Sequence, residues 1–108
     1  MKLFTKDIIE QLTAQYAKGG SLKAQNVICK IFNPYGAGTW YCINMDPEDE
    51  DYIWCIASLF EVEVGSVLRS EIERMKVPPF NLPLERDLHF KQINAEQAYQ
   101  RLLAGEQL

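Results

Sequence analysis

Several stretches of the 108-residue chain carry residue types whose spacing suits chemistry. The densest is Leu82-Pro83-Leu84-Glu85-Arg86-Asp87-Leu88-His89-Phe90. In an extended segment, alternate side chains point to opposite sides. Leu84, Leu88 and Phe90 then share a side with Arg86, while Glu85, Asp87 and His89 share the other. Two carboxylates beside the chain's one histidine are the donors of a metal site or an acid–base pair. Arg86 among apolar neighbours suits anchoring, because a guanidinium satisfies a carboxylate or backbone carbonyls through several N–H groups. Glu85, Arg86, Asp87 and His89 therefore read as a structural anchor, with a metal-dependent or acid–base enzyme centre as the alternative. No nucleophile is placed beside His89, and no HExxH, GxSxG or Walker pattern occurs. No catalytic residue is assigned, and the balance favours binding over catalysis.

The run Asp46-Pro47-Glu48-Asp49-Glu50-Asp51 holds five carboxylates in six positions. A calcium loop of the EF-hand kind requires Gly at its sixth position and Glu at its twelfth. Counted from Asp46 these are Asp51 and Ala57, so the match fails. Five like charges on a turn repel and stay solvated, presenting an anionic knob to Lys or Arg on a partner. Asp46, Glu48, Asp49, Glu50 and Asp51 are the expected charge contacts. Tyr35, Trp40 and Tyr41 are the expected aromatic anchors, since such residues are enriched at interfaces. They sit in Asn33-Pro34-Tyr35-Gly36-Ala37-Gly38-Thr39-Trp40-Tyr41, whose glycines permit a tight turn. A phosphate loop does not fit there, because a strand follows instead of a helix N-terminus.

Cys29, Cys42 and Cys55 are each thirteen residues apart. Successive antiparallel strands bring such positions close, and with His89 they supply the atoms of a zinc site. Without a close pair such as CxxC, apolar packing is the expected role, and no metal or cofactor is expected. An odd thiol count fits a reducing compartment, hence the cytoplasm. Eleven basic residues against fifteen acidic ones give a net charge of −4 and a pI near 4.9. That balance argues against a general nucleic-acid binder, which needs a basic surface to displace counterions. A local patch of Lys18, Lys23 and Lys30 keeps one variant open: a nucleic-acid-binding accessory module of plasmid replication or transfer. No apolar run approaches the roughly 18 residues that span a bilayer. Lys2, Lys6 and Asp7 place charge where the apolar core of a secretory signal would begin.

The elements that must position these groups read as α+β, in a single domain over residues 1–108. Thr5 caps a helix expected to run to Lys18, with Ile8, Ile9, Leu12 and Tyr16 on one stripe and Gly19-Gly20 as the stop. Strands are expected over Asn26–Phe32, Thr39–Met45, Tyr52–Phe60 and Glu61–Val64. Short connections make them an antiparallel meander of three to four strands. Arg69–Lys76 reads as a short middle helix ended by Pro78-Pro79. Phe80–Phe90 reads as extended and irregular. Asn94 caps a C-terminal helix, with Gln97 completing a capping box and Ala95, Ala98 and Leu102 facing inward.

Two blocks carry a resemblance. Phe32-Asn33-Pro34-Tyr35-Gly36-Ala37-Gly38-Thr39-Trp40-Tyr41 and Phe80-Asn81-Leu82-Pro83-Leu84-Glu85-Arg86-Asp87-Leu88-His89-Phe90 together resemble a family of small bacterial proteins, domain of unknown function 2958. The opening Leu3-Phe4-Thr5-Lys6 and the first helix are similar to it as well. The resemblance covers most of the chain and departs between Ala57 and Val67, where the family's glycine and aromatic pattern is missing. It implies carriage on plasmids, integrative elements and phages, and offers no catalytic residues to transfer. By analogy, a small acidic protein in that setting is a counter-defence inhibitor of the anti-CRISPR or anti-restriction kind. Such an inhibitor occupies a basic nucleic-acid-binding surface of a host defence effector. A protein partner is thus expected, with direct nucleic-acid binding and membrane association disfavoured.

Overall fold

A computed structural model describes all residues 1–108. The first helix, α1, spans Lys6–Ala14. Thr5 Oγ1 accepts from the Ile8 N–H at 3.3 Å, and Asp7 sits in the first turn where the helix dipole favours an anion. The helix stops short of Lys18 and passes into a single 3-10 turn, Tyr16–Lys18. Gln15 is the reason: its side chain leaves the helix to tie two strands together. Its Nε2 donates to the carbonyls of Asn26 (2.9 Å) and Ile43 (2.7 Å), and its Oε1 accepts from the Asn26 N–H.

The expected first strand is split at Ile28 into β1 (Asn26–Val27) and β2 (Cys29–Phe32). Then come β3 (Thr39–Asp46), β4 (Asp49–Ser58), β5 (Val62–Leu68) and the short helix α2 (Arg69–Arg74). Two-residue strands β6 (Lys76–Val77), β7 (Leu82–Pro83), β8 (Glu85–Arg86) and β9 (Ile93–Asn94) lead to helix α3 (Ala95–Leu103). The main sheet has five strands in the order β5-β4-β3-β2-β8, with every pair antiparallel. Its meander was expected; its fifth strand was not. That strand comes from the segment read as irregular, where Glu85 and Arg86 pair with Phe32 and Ile31.

Both faces of the sheet are covered, which explains why Trp40 through Met45 of β3 are all buried. On one face Leu12 of α1 and Ile72 of α2 pack with Phe4, Ile31, Cys42, Met45 and Ile53. On the other, Ala95, Ala98 and Leu102 of α3 pack with Val27, Tyr41, Ile43 and Ile56. A β-bulge between Cys42 and Asn44 switches the alternation within β3. Trp40, Cys42 and Met45 therefore reach the α1 face, although strict alternation would send Met45 to the other. The Ile43 carbonyl at the bulge is the one that Gln15 satisfies. Asn94 caps α3 as expected, its Oδ1 accepting from the N–H groups of Glu96 and Gln97. No helix is long and apolar enough to cross a membrane.

Candidate partner-binding site at the acidic hairpin

Strands β3 and β4 meet in a two-residue turn, Pro47-Glu48, closed by the pairing of Asp46 with Asp49. The acidic run thus occupies one end of the sheet. Glu48, Asp49 and Glu50 are exposed, while Asp46 and Asp51 are half-buried. Asp46 Oδ1 accepts from the Glu48 N–H at 2.9 Å, and Asp49 Oδ1 from the Asp51 N–H at 3.2 Å. These bonds hold the turn in shape. The chain's ion pairs are Lys30–Asp87, Arg69–Glu73 and Arg101–Glu106, so none reaches the run. Asp51 differs from its neighbours. Its Oδ1 accepts from the Ser70 N–H at 2.7 Å and its Oδ2 from the Ser70 hydroxyl at 3.1 Å. It caps α2, whose preceding residue, Leu68, makes no side-chain cap bond.

The aromatic anchors expected from sequence are not beside these acids. Trp40 and Tyr41 are core residues, 7% and 3% exposed, on opposite faces of the sheet. They cannot meet a partner in the folded protein. Their aromatic bulk is consumed by a central strand that is covered twice. Tyr35 is exposed and packs edge-on against Phe80, with ring centroids 5.8 Å apart. It lies at the other end of β3, whose eight residues span about 25 Å.

The aromatics that do adjoin the acidic turn are Tyr16, Tyr52 and Trp54. They line a cavity of about 240 Å³ together with Gly19, Gly20 and Asn44. Its floor is set by a buried amide pair: Asn44 Nδ2 donates to Gln25 Oε1 at 2.6 Å and to the Gly19 carbonyl at 3.0 Å. Gln25 Nε2 donates in turn to the carbonyls of Gly19 and Ser21, fixing the Gly19–Ser21 loop over the sheet. Tyr52 is held at its tip, where its hydroxyl accepts from Ser66 Oγ at 2.7 Å. Trp54 Nε1 is buried without an acceptor. The Asp46 carboxylate beside the Tyr16 hydroxyl raises its pKa above the usual phenol value, with smaller contributions from Glu48 and Tyr52. The local signal for this cavity is Tyr52-x-Trp54 directly after the acids: residues two apart on a strand share a face. Tyr16 and the Gly19-Gly20 loop reach it only through the tertiary fold.

In the Glu85–His89 segment the fold engages the side chains of Arg86 and Asp87, while Glu85 and His89 are exposed. Arg86 Nη1 donates to the carbonyls of Lys2 (2.6 Å) and Leu3 (2.7 Å), strapping the N-terminus so that Leu3 and Phe4 enter the core. Asp87 Oδ2 lies 3.8 Å from Lys30 Nζ, and its Oδ1 accepts from the His89 N–H at 2.9 Å. That turn breaks the expected alternation: Leu84 is buried, whereas Leu88 and His89 face solvent. Glu85, Asp87 and His89 therefore do not converge. Lys30 also donates to the Leu108 carbonyl, which withdraws it from a basic patch with Lys18 and Lys23.

The three thiols do share one face. Cys29 pairs with Cys42 and Cys42 with Cys55 in register, and all three are buried and free. The neighbouring Cys29 and then burial push the Cys42 thiol well above its ordinary pKa, and burial pushes Cys55 up to about 12. Buried in the core on the α1 face, the three thiols pack there as small apolar residues. No group of three or more His, Cys, Asp or Glu side chains is arranged to hold a metal ion.

No curated protein and no solved structure matches the sequence. Residues 3–104 match the model of a family described as protein of unknown function, DUF2958. That match spans both resembling blocks, the acidic hairpin and all three helices, so the chain belongs to the DUF2958 family.

Proposed function

We propose that this chain is a non-enzymatic binding protein that docks its acidic β3–β4 turn on a basic, nucleic-acid-binding surface of a protein partner. The observation that carries the reading is the turn itself. Glu48, Asp49 and Glu50 project from a two-residue hairpin, and no Lys or Arg of the chain pairs with them. Complementary charge speeds encounter and fixes register, and a net charge of −4 adds a long-range field of the same sign. The other charge-dense segment, Glu85–Asp87, supports the reading by contrast, since its Arg86 and Asp87 are engaged within the fold. The partner class is a host nucleic-acid-directed defence effector, of the CRISPR or restriction kind. The protein would reach it in the cytoplasm, as a product of a plasmid, integrative element or phage. Three free thiols fit that reducing setting.

The test is competition. Purified restriction and CRISPR effectors are assayed for DNA or RNA binding with and without the protein, then with the E48Q/D49N/E50Q variant. Loss of nucleic-acid binding that the wild type causes and the variant does not, weakening as salt rises, is the expected result. Effector inhibition by the variant equal to that by the wild type, or no inhibition of any effector, removes the acidic turn from the account.

A further inference from the structure

We propose that the cavity lined by Tyr16, Tyr52 and Trp54 receives a lysine side chain of the protein partner, its ammonium lying against the aromatic faces. The inference rests on the docking reading above and names the group that the partner inserts beside the acidic turn. Three aromatic side chains line one cavity, and no Lys or Arg of the chain is among its walls. Aromatic faces carry negative quadrupolar charge and attract a cation, most strongly for Trp. At about 240 Å³ the space is smaller than the roughly 300 Å³ at which pockets for drug-sized ligands begin. It suits one side chain. A lysine stem matches the apolar walls while its charged end meets the rings.

Charge selects the occupant. Asp46 stands beside the Tyr16 hydroxyl, and Glu48 is near enough to act on the same phenol. An apolar side chain would gain nothing from these carboxylates. An acidic one would be repelled by them. The walls are held in place before any ligand arrives. Ser66 fixes the tip of Tyr52, and the Gln25–Asn44 amides fix the Gly19–Ser21 loop. Preorganisation of this kind reduces the ordering cost of binding.

The experiment titrates the full-length chain with n-butylammonium chloride, a mimic of the lysine side chain, and with 1-butanol as its neutral counterpart, at constant ionic strength. The indole N–H resonances of Trp54 and Trp40 are followed by NMR. Trp40, buried in the core on the opposite face, serves as the internal reference. A saturable shift of Trp54 alone, with butylammonium and not with butanol, is the expected result. Tyr16→Leu and Tyr52→Leu, at residues 43% and 47% exposed and so safe for folding, should each weaken binding about five- to thirty-fold. An equal response to butanol, or no saturable shift of Trp54, overturns the inference. If butylammonium fails while effector inhibition still depends on Glu48, Asp49 and Glu50, the cavity assignment falls and the docking reading stands. If butylammonium binds while inhibition ignores those acids, the docking reading falls instead.

Discussion

Two charge-dense regions invite comparison: the acidic turn at Asp46–Asp51 and the anchor at Glu85–His89. Each packs several ionisable residues into a few positions. In the anchor, the fold engages the central charges. Arg86 holds the carbonyls of Lys2 and Leu3, and Asp87 faces Lys30. In the turn, Glu48 and Glu50 have no cation of the chain beside them, while Asp51 caps α2. Local density of charge thus says little about role. The presence or absence of an internal counterpart decides whether a charged residue holds the fold or stays unpaired in solvent.

The comparison yields a graded set of effects. The extreme of the internally used class is the thiol row, where the fold demands one protonation state. Burial raises Cys55 from an ordinary value of 9.0 to about 12, so the native state retains a proton that the unfolded chain releases first. Stability from this source is fully present below pH 9, and is lost as pH rises from about 9 towards 12. About 4 kcal/mol is the upper size of that loss, at 1.36 kcal/mol per pKa unit. Tyr41, raised mainly by burial, adds a loss of the same sign. Urea unfolding at pH 8 and pH 11 should show the fall, and Cys55→Ala should remove the part that Cys55 supplies, leaving those of Cys42 and Tyr41. Equal pH dependence in that variant would place the alkaline sensitivity elsewhere. Next in size is Arg86→Ala, expected to cost about 2–3 kcal/mol because charged hydrogen bonds and the burial of Leu3 and Phe4 are lost together. The same variant should leave competition with effectors unchanged. A loss of inhibition at full stability would move the binding surface to the anchor.

How much of this was legible beforehand follows the range of the interactions. Thr5 and Asn94 as caps, the inward stripe of Ala95, Ala98 and Leu102, and the acidic turn depend on neighbours a few positions away. Local chemistry announces them. The role of Arg86 as an anchor through carbonyls was legible in kind, because an Arg among apolar residues must satisfy its donors. Its partners, over eighty positions away in the chain, were not. The bulge at Ile43 was hidden for a similar reason: it is completed by Gln15, 28 residues earlier. The burial of Trp40 and Tyr41 required knowing that both sheet faces are covered. The aromatic cavity needed the chain from Tyr16 to Gly20 to return over the half of β4 next to the acidic turn.

Within the turn, Asp51 sharpens the contrast on a single strand. Its two oxygens cap α2 through Ser70, so Asp51→Ala should cost about 1 kcal/mol, the usual value of a lost helix cap. Thermal unfolding should register it, with the effect concentrated in amide exchange across Arg69–Arg74. Stability equal to the wild type would return Asp51 to the group of outward-facing acids.

The smallest effect is the most demanding of the comparison. Glu48→Gln and Glu50→Gln, alone or together, should change stability by less than about 0.5 kcal/mol, as surface substitutions away from structural features do. The sign should be towards greater stability, because each removes one like charge from a crowded turn while the backbone bonds of Asp46 and Asp49 remain. Added salt should shrink the difference, since exposed charges are screened within about 10 Å at 0.1 M. Urea unfolding at low and high salt measures both. A loss above 1 kcal/mol would mean that the fold uses these carboxylates after all, and the turn and the anchor would then be the same kind of region. A small gain that fades with salt would show that the fold does not use these carboxylates, which is the result the docking reading requires.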